Sequence, residues 1–277
     1  MPWQNHFNSN DGYWRYFRPY INALPDDSFP SAQCLNQLIP TGLETASGQA
    51  VQFVDSTQLT DDDYERRIYH QGIVSTRPDC WHDFFNAMVW LRFPQIKVAI
   101  NALHNRVKRQ AGKRGKLRDA LTLFDECGVI LVSSDRDFLK AASHRDWQQI
   151  FQHQASAWQL NTQIFVCGHA MLEKLLSPYK SMTAKALLVH TDPNTMRLPH
   201  DELLVLLDHK IAQLMLAGEV LTSPPHLSPL PLAGIPGWHW QGQQDDLFYA
   251  DTGVFRPPPE SLKPAPIFDY KPGLNAG

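Results

Sequence analysis

Between residues 81 and 104 the chain reads WHDFFNAMVWLRFPQIKVAINALH, and its apolar spacing predicts two helices parted at Pro94. At about 100° per residue, Trp81, Phe84, Met88 and Leu91 fall on one stripe of the first helix, over 80–93. His82, Asn86, Val89 and Phe93 fall on the opposite stripe, with Asp83 and Trp90 beside it. Large apolar groups on both stripes imply that protein covers both, so the polar trio His82, Asp83 and Asn86 is expected in a covered setting. Pro78 and Asp79 supply helix-start chemistry, the aspartate as a cap for free amides. In the second helix Ile96, Ile100, Leu103 and Val107 repeat at helical spacing. Lys97, Asn101, His104 and Lys108 are left as its polar face.

The remaining pattern mixes periods. Residues 1–24 are rich in aromatics, from Trp3 to Tyr20, and predict an arm or short helix packed onto the domain. A helix is expected over 32–39 and a strand over 51–54. Residues 64–69, followed by Gln71-Gly72 and the β-branched Ile73, Val74 and Thr76, read as strand–turn–strand. The run DALTLFDECGVILVSSD reads as a hairpin with strands at 119–124 and 129–133, Gly128 being free to take positive φ in the turn. Helices over 138–142 and 146–155, a strand over 162–167, a turn at Gly168, a helix from His169 and a strand over 184–190 follow. The clearest amphipathic helix is 201–218, with Leu204, Leu207, Ile211, Leu214 and Met215 facing inward. From Thr222 a proline-rich stretch reads as a wrap without regular helix or sheet, pinned by Trp238 and Trp240, and 257–277 as a disordered tail. Together these predict an α+β fold, one domain over 1–256 with helices around a small, mostly antiparallel sheet.

Composition changes this picture little. The 277 residues are 43% hydrophobic and 19% charged, ordinary for a globular chain large enough for a substantial core. No apolar run approaches the roughly 18 to 20 residues that span a bilayer, so no membrane partner is expected. The start, MPWQNHFNSNDGYW, has neither a basic segment nor an apolar stretch of the secretory kind, which predicts a cytoplasmic protein. Cys34, Cys80, Cys127 and Cys167 are far apart and form no C-x-x-C pair, so they are expected reduced. Charge is uneven. Seven of the 25 basic residues fall between Arg106 and Arg118, leaving 18 basic against 28 acidic residues elsewhere.

Several stretches carry a resemblance: YERRI (64–68), WHDFFNAMVWLRFP (81–94), RDALTLFDE (118–126), GHAMLEKLLSPYK (168–180), LPLAGIPGW (230–238) and FYADTGVFRP (248–257). Together they resemble a bacterial family, domain of unknown function 3025, over roughly residues 15 to 257. The resemblance implies one structural unit, with no activity or cofactor attached. His82-Asp83 is also similar to the helical His-Asp pair of metal-dependent phosphohydrolases, but the Gly and Lys that surround that pair are missing.

The candidate chemistry begins with His82, Asp83 and Asn86, whose spacings of three and four place an imidazole, a carboxylate and an amide in one patch. Such groups shuttle protons or ligate metals, and they equally well form a buried hydrogen-bonded network. His169 and Glu173 share a helix face at the C-terminal end of a predicted strand, where α/β folds place sites. Asp119, Asp125 and Glu126 would bracket one hairpin strand with oxygen ligands, although acidic residues also suit turns for backbone reasons. For a divalent metal, the cofactor these groups would take, His82, Asp83, Asp119 and His169 are the candidates. Arg106, Lys108, Arg109, Lys113, Arg114, Lys116 and Arg118, read as one flexible loop with Gly112 and Gly115, are the candidates for binding an anion.

Phosphate-binding loops, dinucleotide fingerprints, serine-nucleophile elbows, H-E-x-x-H and zinc-spaced cysteines are all missing, which disfavours those classes. Two functions fit the remainder. One is a hydrolase-type enzyme acting on a phosphate-bearing substrate, in which His82 and Asp83 or His169 move protons or hold a metal; it requires His82 and His169 to converge. The other is a non-catalytic module that binds RNA, a ribonucleoprotein or an acidic protein through residues 106–118.

Overall fold

The computed structural model describes residues 3–7, 12–59, 63–109, 115–238 and 242–270, and the fold is a single α+β domain. Strands β1 (Gln52–Asp55) and β2 (Ile73–Thr76) pair in parallel as a small separate sheet. The main sheet contains β3 (Gly128–Ser133), β4 (Thr162–Val166), β5 (Thr183–His190), β6 (Ser228–Pro231) and β7 (Ile267–Asp269). Central β3 pairs antiparallel with β4 and parallel with β5. Along its other edge β5 pairs antiparallel with β6 over 183–186 and parallel with β7 over 188–190. The sheet is therefore mixed, not mostly antiparallel, because the long crossover from β3 returns β5 in the same direction. All six residues of β3 are buried, which explains its unbroken GVILVS.

Helices α1 (Arg18–Ala23) and α2 (Ala32–Asn36) follow the N-terminal aromatics. Trp14 stacks on Phe85 at 5.5 Å, and Trp3 meets Phe84 edge-on at 5.3 Å. The Tyr16 hydroxyl bonds the main chain of Val166, and the Tyr20 hydroxyl that of Leu91. The aromatic arm thereby covers one side of the helix 81–92. Each fully buried ring contributes about 1.5–3 kcal/mol.

Residues 64–71 form a helix, α3 (Tyr64–Gln71), where sequence reasoning expects a strand. Asp63 caps it by accepting the Arg66 N–H, and Gly72 ends it at φ +72°. Any Cβ at Gly72 would lie 2.0 Å from the Ala50 carbonyl oxygen. Next come α4 (Trp81–Arg92) and α5 (Pro94–Arg109), as predicted. Asp79 does not cap α4: Cys80 occupies the cap position, and Asp79 turns the chain at φ +51°. Every residue from Phe84 to Leu91 is buried.

Helix α6 (Lys116–Cys127) stands where the pattern suggests a hairpin. Ala120, Leu121 and Phe124 are buried on one face at helical spacing, and that period prevails over the turn-like Asp125–Gly128 run. Gly128 has φ −70° and opens β3 directly. The basic segment is correspondingly not one loop. Arg106, Lys108 and Arg109 belong to α5, Lys116 and Arg118 to α6, and Lys113 and Arg114 lie outside the described residues.

The crossover carries α7 (Arg136–Ser143), a π-helical turn (Gln149–His153), α8 (Ala157–Leu160) and, after β4, α9 (His169–Lys174). Beyond β5 lie α10 (Pro193–Met196) and α11 (His200–Ala217), the latter ended by Gly218 at φ +75°. Asp208 of α11 accepts the N–H groups of Gln95 and Ile96 and so caps α5 from across the fold. The proline-rich wrap departs from expectation in contributing edge strand β6, whose Pro229 and Pro231 are tolerated at a sheet edge. Trp238 meets Tyr13 at 5.2 Å, whereas Trp240 lies outside the described residues. Helix α12 (Asp246–Tyr249), with Phe248 buried within it and Phe255 buried beyond it, anchors the wrap. The segment expected as a disordered tail instead supplies β7, held by Leu188, Val189 and His190; residues 271–277 lie outside the described set. All four cysteines are free, and no helix among the described residues is long and apolar enough to cross a membrane.

Candidate functional site

A cleft of about 920 Å³ opens between α3, α4, α5 and α6 and β2, with His82, Asn86, Asp125, Glu126 and His169 among its lining. Its floor is made by three helix segments. His82 sits in the first turn of α4, Glu126 in the last turn of α6, and His169 at the start of α9. Two glycines set that meeting. The Gly168 amide bonds the Gly128 carbonyl at 2.8 Å, and a Cβ at Gly168 would fall 2.4 Å from the Gly128 nitrogen. Only glycine lets α9 start hard against the end of α6.

The Nε2 atoms of His82 and His169 lie 3.1 Å apart, with ring centroids at 4.5 Å. Glu126 Oε2 is 3.6 Å from His169 Nε2. Behind each ring stands a carboxylate. Glu173 Oε2 is 2.9 Å from His82 Nδ1, and Asp125 Oδ2 is 3.9 Å from His169 Nδ1. Burial pushes the His169 imidazole down to about 4, with help from the Lys97 and His82 charges and against the pull of Asp125. Burial and the neighbouring Asp125 charge raise the Glu126 carboxyl above its ordinary value.

Asp125 is itself held. Burial disfavours its charge, but Lys97 Nζ at 2.6 Å, with His169 and His104 nearby, keeps its pKa below the usual range. Lys97 also donates to Asn86 Oδ1 at 2.9 Å, and Asn86 donates to the Tyr64 hydroxyl at 2.7 Å. On the same face of α5, Asn101 and Asn105 donate to the Glu65 carbonyl. Lys97, Asn101 and His104, read as the helix's polar face, are buried: Asn86 and Trp90 of α4 and Asp125 of α6 surround Lys97, and Glu65 of α3 meets Asn101.

The predicted trio is thus divided. His82 enters the floor, Asn86 enters the lysine network, and Asp83, at the cleft lining, pairs with Arg77. Asp83 accepts the Arg77 N–H at 2.7 Å and both guanidinium branches at 2.8 and 2.9 Å. These bonds outweigh burial and lower its pKa, so its oxygens are committed to Arg77 and not to a metal. Asp119 is exposed in the first turn of α6 and does not reach the cleft lining. Of the basic segment's residues whose side chains are described, Arg118 lines the cleft, while Arg106 and Lys116 are exposed elsewhere. Glu173 supports His82 and does not reach His169 in the way their shared helix face suggests.

Among the described residues, His82, Glu126 and His169 form a group whose ligand atoms all lie within 4.8 Å of one another. Two imidazole nitrogens and one carboxylate oxygen suit Zn²⁺, Mn²⁺ or Fe²⁺. The rings fit that use. A carboxylate behind each Nδ1 favours the proton there, which leaves both Nε2 lone pairs facing one point. The alternative, a proton on either Nε2, makes that ring's Nδ1 an acceptor facing a carboxylate oxygen, Glu173 at 2.9 Å from His82 or Asp125 at 3.9 Å from His169.

A family model described as protein of unknown function (DUF3025) matches residues 51–258. The chain belongs to that family. The matched span contains the whole cleft lining. No curated protein and no solved structure matches the chain.

Sequence reasoning brings His82, His169 and Glu173 to the right helices and offers Asp125 and Glu126 as oxygen ligands, but it sets those two at a hairpin and does not pair Lys97 with Asp125. A signal for Glu126 exists: Leu117, Ala120, Leu121 and Phe124 at helical spacing would set Asp125 and Glu126 on the last turn of a helix, near the turn at Gly168.

Proposed function

We propose that this protein is a metal-dependent hydrolase acting on a phosphate-bearing substrate. One observation carries the reading: two histidines, each backed by a carboxylate, aim their Nε2 atoms at one point beside Glu126 on the floor of a cleft. A divalent ion there would acidify a bound water and polarise the bond under attack. The chain's own part is to fix the donors. Glu173 orients His82, Asp125 orients His169, and burial keeps His169 neutral at physiological pH. Arg118, at the cleft wall, supports an anionic substrate.

Elemental analysis of the purified protein, with hydrolysis of a panel of phosphate-containing esters, tests this. About one equivalent of metal is expected, lost together with activity in His169→Asn and Glu126→Gln. A wild-type protein that binds none of Zn²⁺, Mn²⁺ and Fe²⁺ overturns it. The alternative, a module that binds RNA or protein through the basic segment, draws support only from the exposure of Arg106 and Lys116. Arg118 faces the cleft instead.

A further inference from the structure

Helix α6 presents Arg118, Thr122, Asp125 and Glu126 to the cleft, at helical positions i, i+4, i+7 and i+8. With a rise of about 1.5 Å per residue, Arg118 stands about 12 Å along the helix axis from Glu126. Helical side chains lean toward the N-terminus, so the guanidinium does not close this gap. Arg118 is exposed and makes no hydrogen bond or ion pair with a described residue. Across from it, His104 of α5 is only 8% exposed and lines the same cleft without a hydrogen bond to a described residue. A buried imidazole with no hydrogen-bond partner among the described residues, beside the Arg118 guanidinium and the Thr122 hydroxyl, is a set of donors open to a ligand.

We propose that His104, Arg118 and Thr122 form an anion subsite that holds a phosphate group away from the bond broken at His82, Glu126 and His169. The substrate class is a phosphomonoester of nucleotide size whose phosphate is a handle and not the group transferred. The cleft's 920 Å³ has room for such a molecule. In the hydrolytic step, water oxygen forms the new bond to the attacked centre. The leaving group departs with the bonding pair and takes a proton from that water, and the phosphate passes through unchanged. The position of the reacting bond rests on the hydrolase reading; the subsite itself does not.

Inorganic phosphate is the probe. Calorimetric titration should show saturable binding to the wild-type protein, with and without metal. Binding should weaken about tenfold or more in Arg118→Gln, with partial recovery in Arg118→Lys and no change in metal content. In the Mn²⁺-loaded protein, ³¹P relaxation should place phosphorus about 8–12 Å from the ion, as the two-turn separation along α6 requires. A distance of about 3 Å, typical of direct coordination, would overturn the proposal, as would an unchanged phosphate affinity in Arg118→Gln. If the protein takes up none of Zn²⁺, Mn²⁺ and Fe²⁺, the metal reading fails, and the titrations on metal-free protein still decide the subsite.

Discussion

The ammonium of Lys97 lies 2.6 Å from Asp125 Oδ1, and the other oxygen of that carboxylate faces His169 Nδ1 at 3.9 Å. A lysine buried to 4% exposure thus stands two links behind the floor of the cleft. Its charge makes an ionised Asp125 tolerable, and the ionised Asp125 favours a proton on the facing His169 Nδ1. Lys97→Met should therefore cost about 3–5 kcal/mol, because it leaves a buried carboxylate unpaired. Urea denaturation measures this. Adding Asp125→Asn should recover much of the loss; if the two losses simply add, the pair is not coupled.

Glu173→Gln should behave differently. Glu173 is partly exposed, so its ion pair with His82 contributes little stability, within about 1 kcal/mol. Its effect belongs to the ligand it orients, and metal affinity should fall about 10- to 100-fold. Competition against a fluorescent chelator reads the change. Equal metal affinity in the variant would remove Glu173 from the site's support.

Two buried groups give the stability profile opposing slopes. Burial pushes the Asp208 carboxyl up to about 7, against the amides of Gln95 and Ile96. Between its unfolded pKa near 4 and about 7 the folded state holds a proton that the unfolded state has lost, so stability falls as pH rises through that window. His169, pushed down to about 4, is neutral in the fold where the unfolded state is protonated, so its share of stability rises with pH from about 4 to 6.5. Thermal melts across pH 4 to 7 should therefore show the profile of Asp208→Asn rising more steeply with pH than the wild type's, and that of His169→Gln rising less steeply or falling.

Gly168→Ala should damage the site without touching any ligand. The new methyl would meet the Gly128 nitrogen at 2.4 Å and the Glu126 carbonyl at 2.6 Å. Helix α9 must then retreat from α6. The expected cost is about 1–3 kcal/mol with loss of metal binding, read by melting and elemental analysis. A variant that keeps full metal occupancy would show that the backbone contact is dispensable.

The helices bearing His82 and His169 are legible in the sequence because each has an unambiguous boundary: Pro94 after the first, a strand and Gly168 before the second. The α+β class is legible for the same reason. Helix α6 is not, since Asp125-Glu126-Cys127-Gly128 satisfies turn chemistry locally and only the burial of Leu121 and Phe124 decides for helix. The fate of Lys97 is similarly hidden. A lysine at helical spacing from Asn101 and His104 reads as part of a polar face until Asn86 of α4 and Asp125 of α6 are known to close on it. Asp83 illustrates the converse, because its commitment to Arg77 depends on a turn six residues earlier whose shape the pattern does not specify.

Strand β5 keeps one edge for β6 and β7, which pair with it end to end from far along the chain. During synthesis that edge remains open until residues 228–231 and then 267–269 have left the ribosome. A strand such as Thr183–His190, with five of its eight residues buried in the finished fold, is a template for pairing with another chain while one edge stays open. Yield in the cell should therefore be sensitive to events late in translation, even though the residues on the cleft floor have all emerged by His169.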